Sequence, residues 1–420
     1  MVKEKAKTTI TLNNMKIKNV LLQALALSLL PLSATAQKQV SIDWYGFVAA
    51  QSFRDTHASQ SKAEGFLYQF PLDKDVPDAN GNMNENNYGS EFGTMARVGF
   101  TLKGPDILGV STRAKAEIEF SGHKSGEILY RHAFMAFDWD DGGTLILGQT
   151  WHPMNDLFPS TVGIAIGAPF NPLNRSPQLR GEAFLDKKQN IKLTVASIFQ
   201  SMNTSIGPDN KFSYNYMRNS SVPLIYGGLD FKLGDLKLGV GVEYQDIVPY
   251  VDAADNNKKY HLTGFTGMLQ AQYAKDKLSI KAKGLLGQNM SHLGICSGYG
   301  RVADPDNTGK IEFAPLTALS TWAQVQYGGA LKFGLFGGYM KNYGADKDLD
   351  ATKIYAIGGG KIDSMWRLTP SVTYAVGNVV FGCEFEFTSV AYGKIESKGT
   401  VTDTHDVNNL RSLVSVMYNF

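Results

Sequence analysis

The sequence predicts an all-β fold, a transmembrane antiparallel up-and-down β-barrel of about 16 strands with its third external loop folded inward. Three observations carry the fold class. From Val40 onward, apolar and polar residues alternate with a period of two in runs of about ten, each bounded by Gly, Asn, Asp or Pro. Short and long connections between these runs take turns along the chain. The final residues, LVSVMYNF, keep alternating as far as Phe420, as a strand does when it still has a partner to find.

The first 36 residues read differently. Lys16 and Lys18 precede an apolar run from Val20 to Leu32, and Ala34-Thr35-Ala36 supplies small residues for cleavage. Residues 1–36 are therefore expected to be a secretory signal, and residues 37–420 a single barrel domain. The apolar run is too short to span a bilayer, which weighs against the rival reading of an N-terminal anchor. Met15 is a second candidate for the start, because residues 1–14 contain no apolar run that export would use.

Removing the signal takes five of the 41 basic residues and one of the 39 acidic ones, leaving 36 against 38. This near-neutral balance gives no support to a nucleic-acid partner. Two cysteines, Cys296 and Cys383, are too few for a disulfide framework, and neither their spacing nor that of the seven histidines suggests a metal site. No cofactor is expected. With 43 glycines, 23 phenylalanines and 19 tyrosines but no long apolar stretch after residue 36, the composition suits a β-rich exported chain.

The alternation is clearest from Ser111 to Ser121. There Arg113, Lys115, Glu117 and Glu119 share one face, and Thr112, Ala114, Ala116, Ile118 and Phe120 share the other. Leu236 to Gln245, Leu278 to Lys283 and Val379 to Phe387 repeat the scheme. A sandwich would hide the apolar face in a core, whereas a membrane barrel turns it to lipid. The connections decide between them. Short turns near 105–106, 140–143, 186–190, 234–235, 275–277, 328–329 and 377–378 alternate with long polar loops at 55–90, 201–222, 247–260, 290–316, 342–363 and 389–408. A closed barrel with its turns at one rim and its loops at the other has this rhythm, and lipid demands the closure because it cannot hydrogen-bond a free strand edge. Trp44, Tyr244, Tyr273, Tyr339, Trp366 and Tyr374 fall near strand ends, where interfacial aromatic girdles form.

In a barrel the inward set decides what passes. The alternation turns inward Arg97, Lys103, Arg113, Lys115, Arg131, Arg180, Lys192, Lys237, Lys281, Lys283, Lys332, Arg367 and Arg411. Against them stand Asp43, Glu117, Glu119, Glu182, Glu243, Glu384 and Glu386. The basic excess predicts either a mild anion preference or a set of lumen charges paired for stability. Arg131 is the least secure of these, since Tyr130, His132 and Asp138 share the face that alternation makes outward.

One stretch breaks the pattern. GQTWHPMNDLFPSTVGIAIGAPFNPLNRSPQLRG, from Gly148 to Gly181, is too rich in proline for a strand or helix and too apolar for a wet loop. Such backbone belongs either inside the lumen or packed on its own Phe158, Ile164, Ile166 and Phe170 outside the barrel.

This inserted segment, the sixteen-strand rhythm, the signal and the terminal Phe420 after Tyr418 together resemble the Gram-negative trimeric outer-membrane porins. GQTWHPMNDLFP looks most like the DcaP-type channels. The resemblance implies a homotrimer in outer-membrane lipid, passing small hydrophilic solutes, with the third loop constricting the lumen opposite a ladder of arginines. It transfers that ladder to Arg97, Arg113 and Arg131, and makes Phe420 the signal read by the barrel-assembly machinery. Lys115, Glu117, His152, Asp156, Arg175 and Arg180 complete the expected pore lining. General porins carry several acidic residues on this loop, whereas Asp156 stands alone here beside Arg175 and Arg180, which favours anionic solutes. The sequence does not name the solute. Two readings from other classes stay open: a barrel hydrolase, although no GxSxG-like motif marks a nucleophile, and a plugged adhesive or structural barrel.

Overall fold

Alternation gives each strand one wet and one dry face, and a sheet built from such strands leaves no unpaired edge only if it closes on itself. The computed structural model describes residues 40–63, 65–74, 83–86, 89–120, 128–201 and 203–420, and shows that closure. The predicted signal, residues 1–36, lies outside the described residues. The strands in chain order begin with β1 (Ser41–Asp55), the short β2 (Ser59–Lys62) and β3 (Leu67–Pro71), β4 (Ser90–Lys103), β5 (Ser111–Phe120), β6 (Leu129–Asp138) and β7 (Thr144–Trp151). They continue with β8 (Arg175–Phe184), β9 (Ile191–Ile198), β10 (Leu224–Leu233), β11 (Leu236–Asp252), β12 (Lys258–Lys275) and β13 (Leu278–Gln288). The last are β14 (Gly298–Val302), β15 (Phe313–Pro315), β16 (Thr317–Gly328), β17 (Leu331–Gly344), β18 (Leu349–Ala356), β19 (Ile362–Val376), β20 (Val379–Ile395) and β21 (Val401–Asn419). Sixteen of them form one closed antiparallel barrel, and β2, β3, β14, β15 and β18 lie outside the ring in two small sheets.

The final strand closes the ring as its alternation predicted. β21 pairs with β1 from Phe47↔Asn419 to Asp55↔Arg411, and Phe420 exchanges backbone hydrogen bonds with Gly46 at 2.9 and 3.1 Å. Outward-pointing side chains around the barrel are large, apolar and exposed, among them Trp44, Leu269, Phe333, Phe381, Phe385 and Val416. Such a belt on a closed barrel is the surface that lipid solvates. No helix among the described residues is long and apolar enough to cross a membrane; the crossing elements are strands.

Two of the long loops expected from composition are strands. Residues 247–260 extend β11 to Asp252 and start β12 at Lys258, leaving only 253–257 as a connection. Residues 389–408 likewise become a hairpin that turns at 396–400, with Lys394 and Asp403 paired across it at 2.9 Å. Polarity on both faces of a strand marks the end of the apolar belt and not the end of the ladder, which runs on into water. The loops at 290–316 and 342–363 instead form the three-stranded sheet β15-β14-β18, closed over its own apolar cluster of Leu316, Leu349 and Ile354.

The interior is not an empty tube. Phe70, Met154, Phe170, Ile198, Tyr226, Met268, Leu293, Trp322, Phe336 and Met340 are buried there in one apolar cluster built from loops and inward-facing strand residues together. The β2-β3 hairpin belongs to this packing. Tyr68 is fully buried between the guanidinium groups of Arg367 and Arg411, each 4.5 Å from its ring.

Candidate functional site

The segment joining β7 to β8 runs from His152 to Asn174, narrower than the stretch from Gly148 to Gly181 that breaks the alternation, because Trp151 ends β7 and Arg175 already begins β8. Pro153, Pro159, Pro169 and Pro172 deny it regular structure, so its backbone groups need partners from elsewhere. Interior side chains of strands across the ring supply them. Lys283 Nζ on β13 donates to the carbonyls of Met154 and Leu157, and Ser320 Oγ on β16 donates to that of Phe170 at 2.9 Å. Gln324 accepts from Ser160 N at 2.7 Å and donates to its carbonyl at 3.0 Å. Arg367 on β19 donates to Ala168 O at 2.8 Å, Glu384 on β20 accepts from Val162 N and Gly163 N, and Gln51 on β1 donates to Val162 O. Gly338 on β17 is bare where the Phe170 ring rests, since a Cβ there would meet ring carbons about 2.5 Å away.

These ties hold the segment against the wall from β13 round to β1, which leaves the wall from β4 to β8 facing a cavity of about 300 Å³. Arg97, Arg131, Arg175 and Lys62 line that cavity with Glu119, and Ile164 and Ile166 of the segment line it from the opposite side. Arg131 donates to Glu117 Oε1 at 2.5 Å and lies 2.8 Å from Glu119 Oε2, while Arg97 binds the same Glu119. Tyr45 Oη donates to Glu117 at 2.7 Å. The Arg131 and Arg175 guanidiniums both sit over the Trp151 ring, at 5.6 and 4.8 Å. Arg175 differs from its neighbours, because its buried Nε and Nη1 have no hydrogen-bond partner among the described residues. Four cations around this space face the two carboxylates Glu117 and Glu119, so the local excess is positive.

Of the expected pore lining, Arg97, Arg131 and Arg175 come together here, with Glu117 behind them and Lys115 over the Tyr45 ring at 4.7 Å. The other residues lie elsewhere. Arg113 is at the turn end of β5, paired with Asp138 at 2.6 Å, and Arg180 pairs with Glu182 on its own strand. Asp156 accepts from Gln270 at 3.1 Å and lines a separate space of about 530 Å³ with Asp230, Lys192 and Lys237. The alternation that set Arg131 against His132 and Asp138 is corrected by a bulge. Glu117 pairs with His132 but Ile118 with Tyr130, so Arg131 and His132 both become buried and Asp138 turns inward to Arg113. Sequence reasoning missed Lys62 and Trp151. Lys62 arrives on the β2-β3 hairpin, and no local pattern in that loop announces that it folds into the barrel.

His152 is fully buried with Glu243 and His292. Its Nε2 lies 2.6 Å from Glu243 Oε2, and His292 Nε2 lies 2.8 Å from Oε1. Met154 N–H points at His152 Nδ1 and the Gln245 amide at His292 Nδ1, each at 3.2 Å, so both rings accept through Nδ1 and carry their proton on Nε2 toward the carboxylate. The trio ties the start of the segment and the 290–293 turn to β11, and Leu173 N–H adds a bond to Leu293 O at 2.8 Å.

A second cavity of about 630 Å³ lies among the loops and shares Lys62, Gln69, Asn203 and Gly294 with the arginine-lined one. Among the described residues Lys62 and Lys361 are the charged groups that line it, and Phe70, Ile206, Phe212 and Ile354 give it apolar walls.

A closed sixteen-stranded barrel with an apolar outer belt and a segment laid across its interior defines the class: a membrane β-barrel of porin architecture. Among solved structures, the outer membrane channel DcaP of Acinetobacter baumannii shares this fold with a TM-score of 0.68 at 15% identity, over 92% of this chain and 100% of that one. An anion-selective porin from Comamonas acidovorans gives 0.53 at 11% identity over 91% and 100%. The trimer form of OmpT, an outer membrane protein of Vibrio cholerae, gives 0.51 at 11% over the same shares. At these identities the likeness is one of fold. No protein-family model and no curated protein sequence matches the chain.

Proposed function

We propose that this protein is an outer-membrane porin, a passive channel for small hydrophilic solutes with a preference for anions, assembled as a homotrimer. The observation that carries the reading is the excess of cations around the cavity of about 300 Å³, where Arg97, Arg131, Arg175 and Lys62 face the uncharged Ile164 and Ile166. A fixed positive field in a narrow aqueous passage with low-dielectric walls lowers the barrier for anions and raises it for cations. Solutes pass from the vestibule among the loops, through this constriction, to the turn end. The anion-selective porin and the trimeric barrel among its structural neighbours support the anion preference and the homotrimer. In this reading residues 1–36 are the export signal, and Phe420 is the residue engaged during barrel assembly.

Planar-bilayer recording of the refolded protein tests the proposal. Steady ohmic steps are expected, with a reversal potential on the anion side in a salt gradient; cation preference refutes the selectivity. The apolar packing of the interior favours one second reading, a barrel plugged by its own loops. Silence from well-folded protein selects that reading, and hydrolysis of an ester or peptide substrate, lost in a histidine variant, selects an enzyme.

A further inference from the structure

The β2-β3 hairpin brings into the barrel side chains whose hydrogen-bonding capacity the protein itself does not use. Gln60 pairs with Phe70 but Ser61 with Tyr68, so Gln69 is the extra residue of a bulge. Tyr68 and Phe70 on either side of it are buried in the interior packing, and Gln69 is buried with them, only 6% exposed. Its carbonyl accepts from Arg367 Nη2, whereas its side-chain amide has no hydrogen-bond partner among the described residues. Nearly enclosed as it is, Gln69 lines both the arginine-lined cavity and the larger cavity among the loops, and Lys62 and Asn203 line both with it. Lys62 Nζ rests over the Phe212 ring at 5.7 Å, and no carboxylate among the described residues lies within ion-pair distance of it. Asn203 accepts from Arg175 N at 3.1 Å through Oδ1, and its NH2 group is without a partner among the described residues.

We propose that this collar, where the two cavities meet, is a solute-binding site that selects carboxylates bearing hydroxyl groups, the class to which sugar acids belong. The proposal rests on the channel reading above and narrows its substrate class. Three side chains supply three different requirements. Lys62 offers a charge without a counter-ion, with Arg175 beyond it on the constriction side. Asn203 offers donors alone, through its NH2 group. The Gln69 amide offers two donors and also a carbonyl acceptor, and that acceptor needs a hydrogen. Water can provide it until a solute arrives. A bare carboxylate or an inorganic anion that displaces the water brings acceptors only, so it strands the Gln69 side-chain carbonyl with a bond unmade. An ammonium group would satisfy that carbonyl, but it meets the positive field of Lys62 and Arg175. A hydroxyl both donates and accepts. A carboxylate with hydroxyls beside it therefore satisfies Lys62, Asn203 and Gln69 together, and neither the charge nor the hydroxyls do so alone.

The test is block of single-channel current by three six-carbon probes added to both sides of the bilayer. Gluconate has the charge and the hydroxyls, hexanoate the charge alone, and sorbitol the hydroxyls alone. Gluconate is expected to interrupt the wild-type current at concentrations about ten-fold lower than either of the others, the factor that follows from one hydrogen bond to a charged group or two neutral ones. Gln69→Met removes the amide without breaking a bond that its side chain makes. It is expected to narrow the preference for gluconate over hexanoate by about two- to ten-fold, a ratio that a general change of pore width does not move. Lys62→Met is expected to bring block by gluconate close to that by sorbitol. Equal block by gluconate and hexanoate in the wild type overturns the proposal, as does a folded Gln69→Met pore that keeps the wild-type preference. If Gln69→Met fails to fold, the wild-type comparison of the three probes decides alone. Silence from folded wild-type protein removes the channel reading and this proposal with it, whereas ohmic wild-type steps with no preference for gluconate remove the proposal alone.

Discussion

Arg175→Gln is the sharpest test of the selectivity. Its guanidinium lines the constriction with Nε and Nη1 unpaired, so the substitution removes a charge from the passage without breaking an ion pair. The charge count there falls from four cations against two carboxylates to three against two. An ion passing roughly 7 Å from the lost charge, through a medium of effective dielectric about 40 to 80, feels about 0.6–1.2 kcal/mol less attraction or repulsion. That is roughly a three- to eight-fold drop in anion entry, with an opposite change for cations. The assay is the reversal potential across a salt gradient, read on a protein whose folding is checked by the heat-dependent shift of its band on a detergent gel. Arg113→Gln is the matched control. Its charge is held by Asp138 at the turn end, outside the cavity, and its effect on the reversal potential is expected to be a small fraction of the other. The reasoning is refuted if Arg175→Gln folds and leaves the reversal potential where it was, or if Arg113→Gln moves it as far.

Deleting Pro159 to Ala168 removes the part of the segment that bears Ile164 and Ile166 and is expected to raise single-channel conductance; an unchanged value places the constriction elsewhere. Glu243→Gln leaves one of the two imidazole Nε2–H groups facing an amide N–H, and a loss of about 1.5–3 kcal/mol is expected, read as a lower unfolding temperature of the folded band. Phe420→Ala is expected to lower assembly yield and leave the conductance of folded pores alone, because its side chain is half exposed on the outer surface and its bonds to Gly46 are made by backbone. Altered conductance with normal yield would reverse that assignment.

The barrel was legible because its determinants are local. Period two, turn residues and closure by the last strand each follow from a few neighbouring side chains, and β5, β11 and β20 keep the faces that alternation assigned to them. Where composition was read as a loop, at 247–260 and 389–408, the error has one cause. In both stretches the first residues, Ile247 and Val248, Ser389 and Val390, are buried on both faces and a bulge then shifts the register, so the alternation fades while the ladder continues into exposed, polar ends.

The site was legible only in part, for a different reason. Arg97 keeps strict alternation and was found by it. Arg131 reaches the cavity beside His132 because one extra residue sits in β6, and a bulge reverses every assignment beyond it. Trp151 and Arg175 are cross-strand partners that face the cavity at the end of β7 and the start of β8, although Leu147 and Leu179 share their parity and Leu179 is exposed on the outer surface. Gly148 intervenes at φ +125°, a conformation that other residues rarely adopt. Irregularities of one residue, the bulge in β6 and Gly148 on β7, thus separate the alternation from the site. A pore needs its charges where the chain leaves the wall, and that is where a strict period of two cannot be kept. An arginine beside a proline at a strand end is therefore a candidate for a constriction alongside one such as Arg97 that keeps perfect alternation. Arg113, in the most regular strand of the chain, is bound to Asp138 away from the cavity, whereas Arg175, three residues from Pro172, lines it with two buried guanidinium nitrogens unpaired.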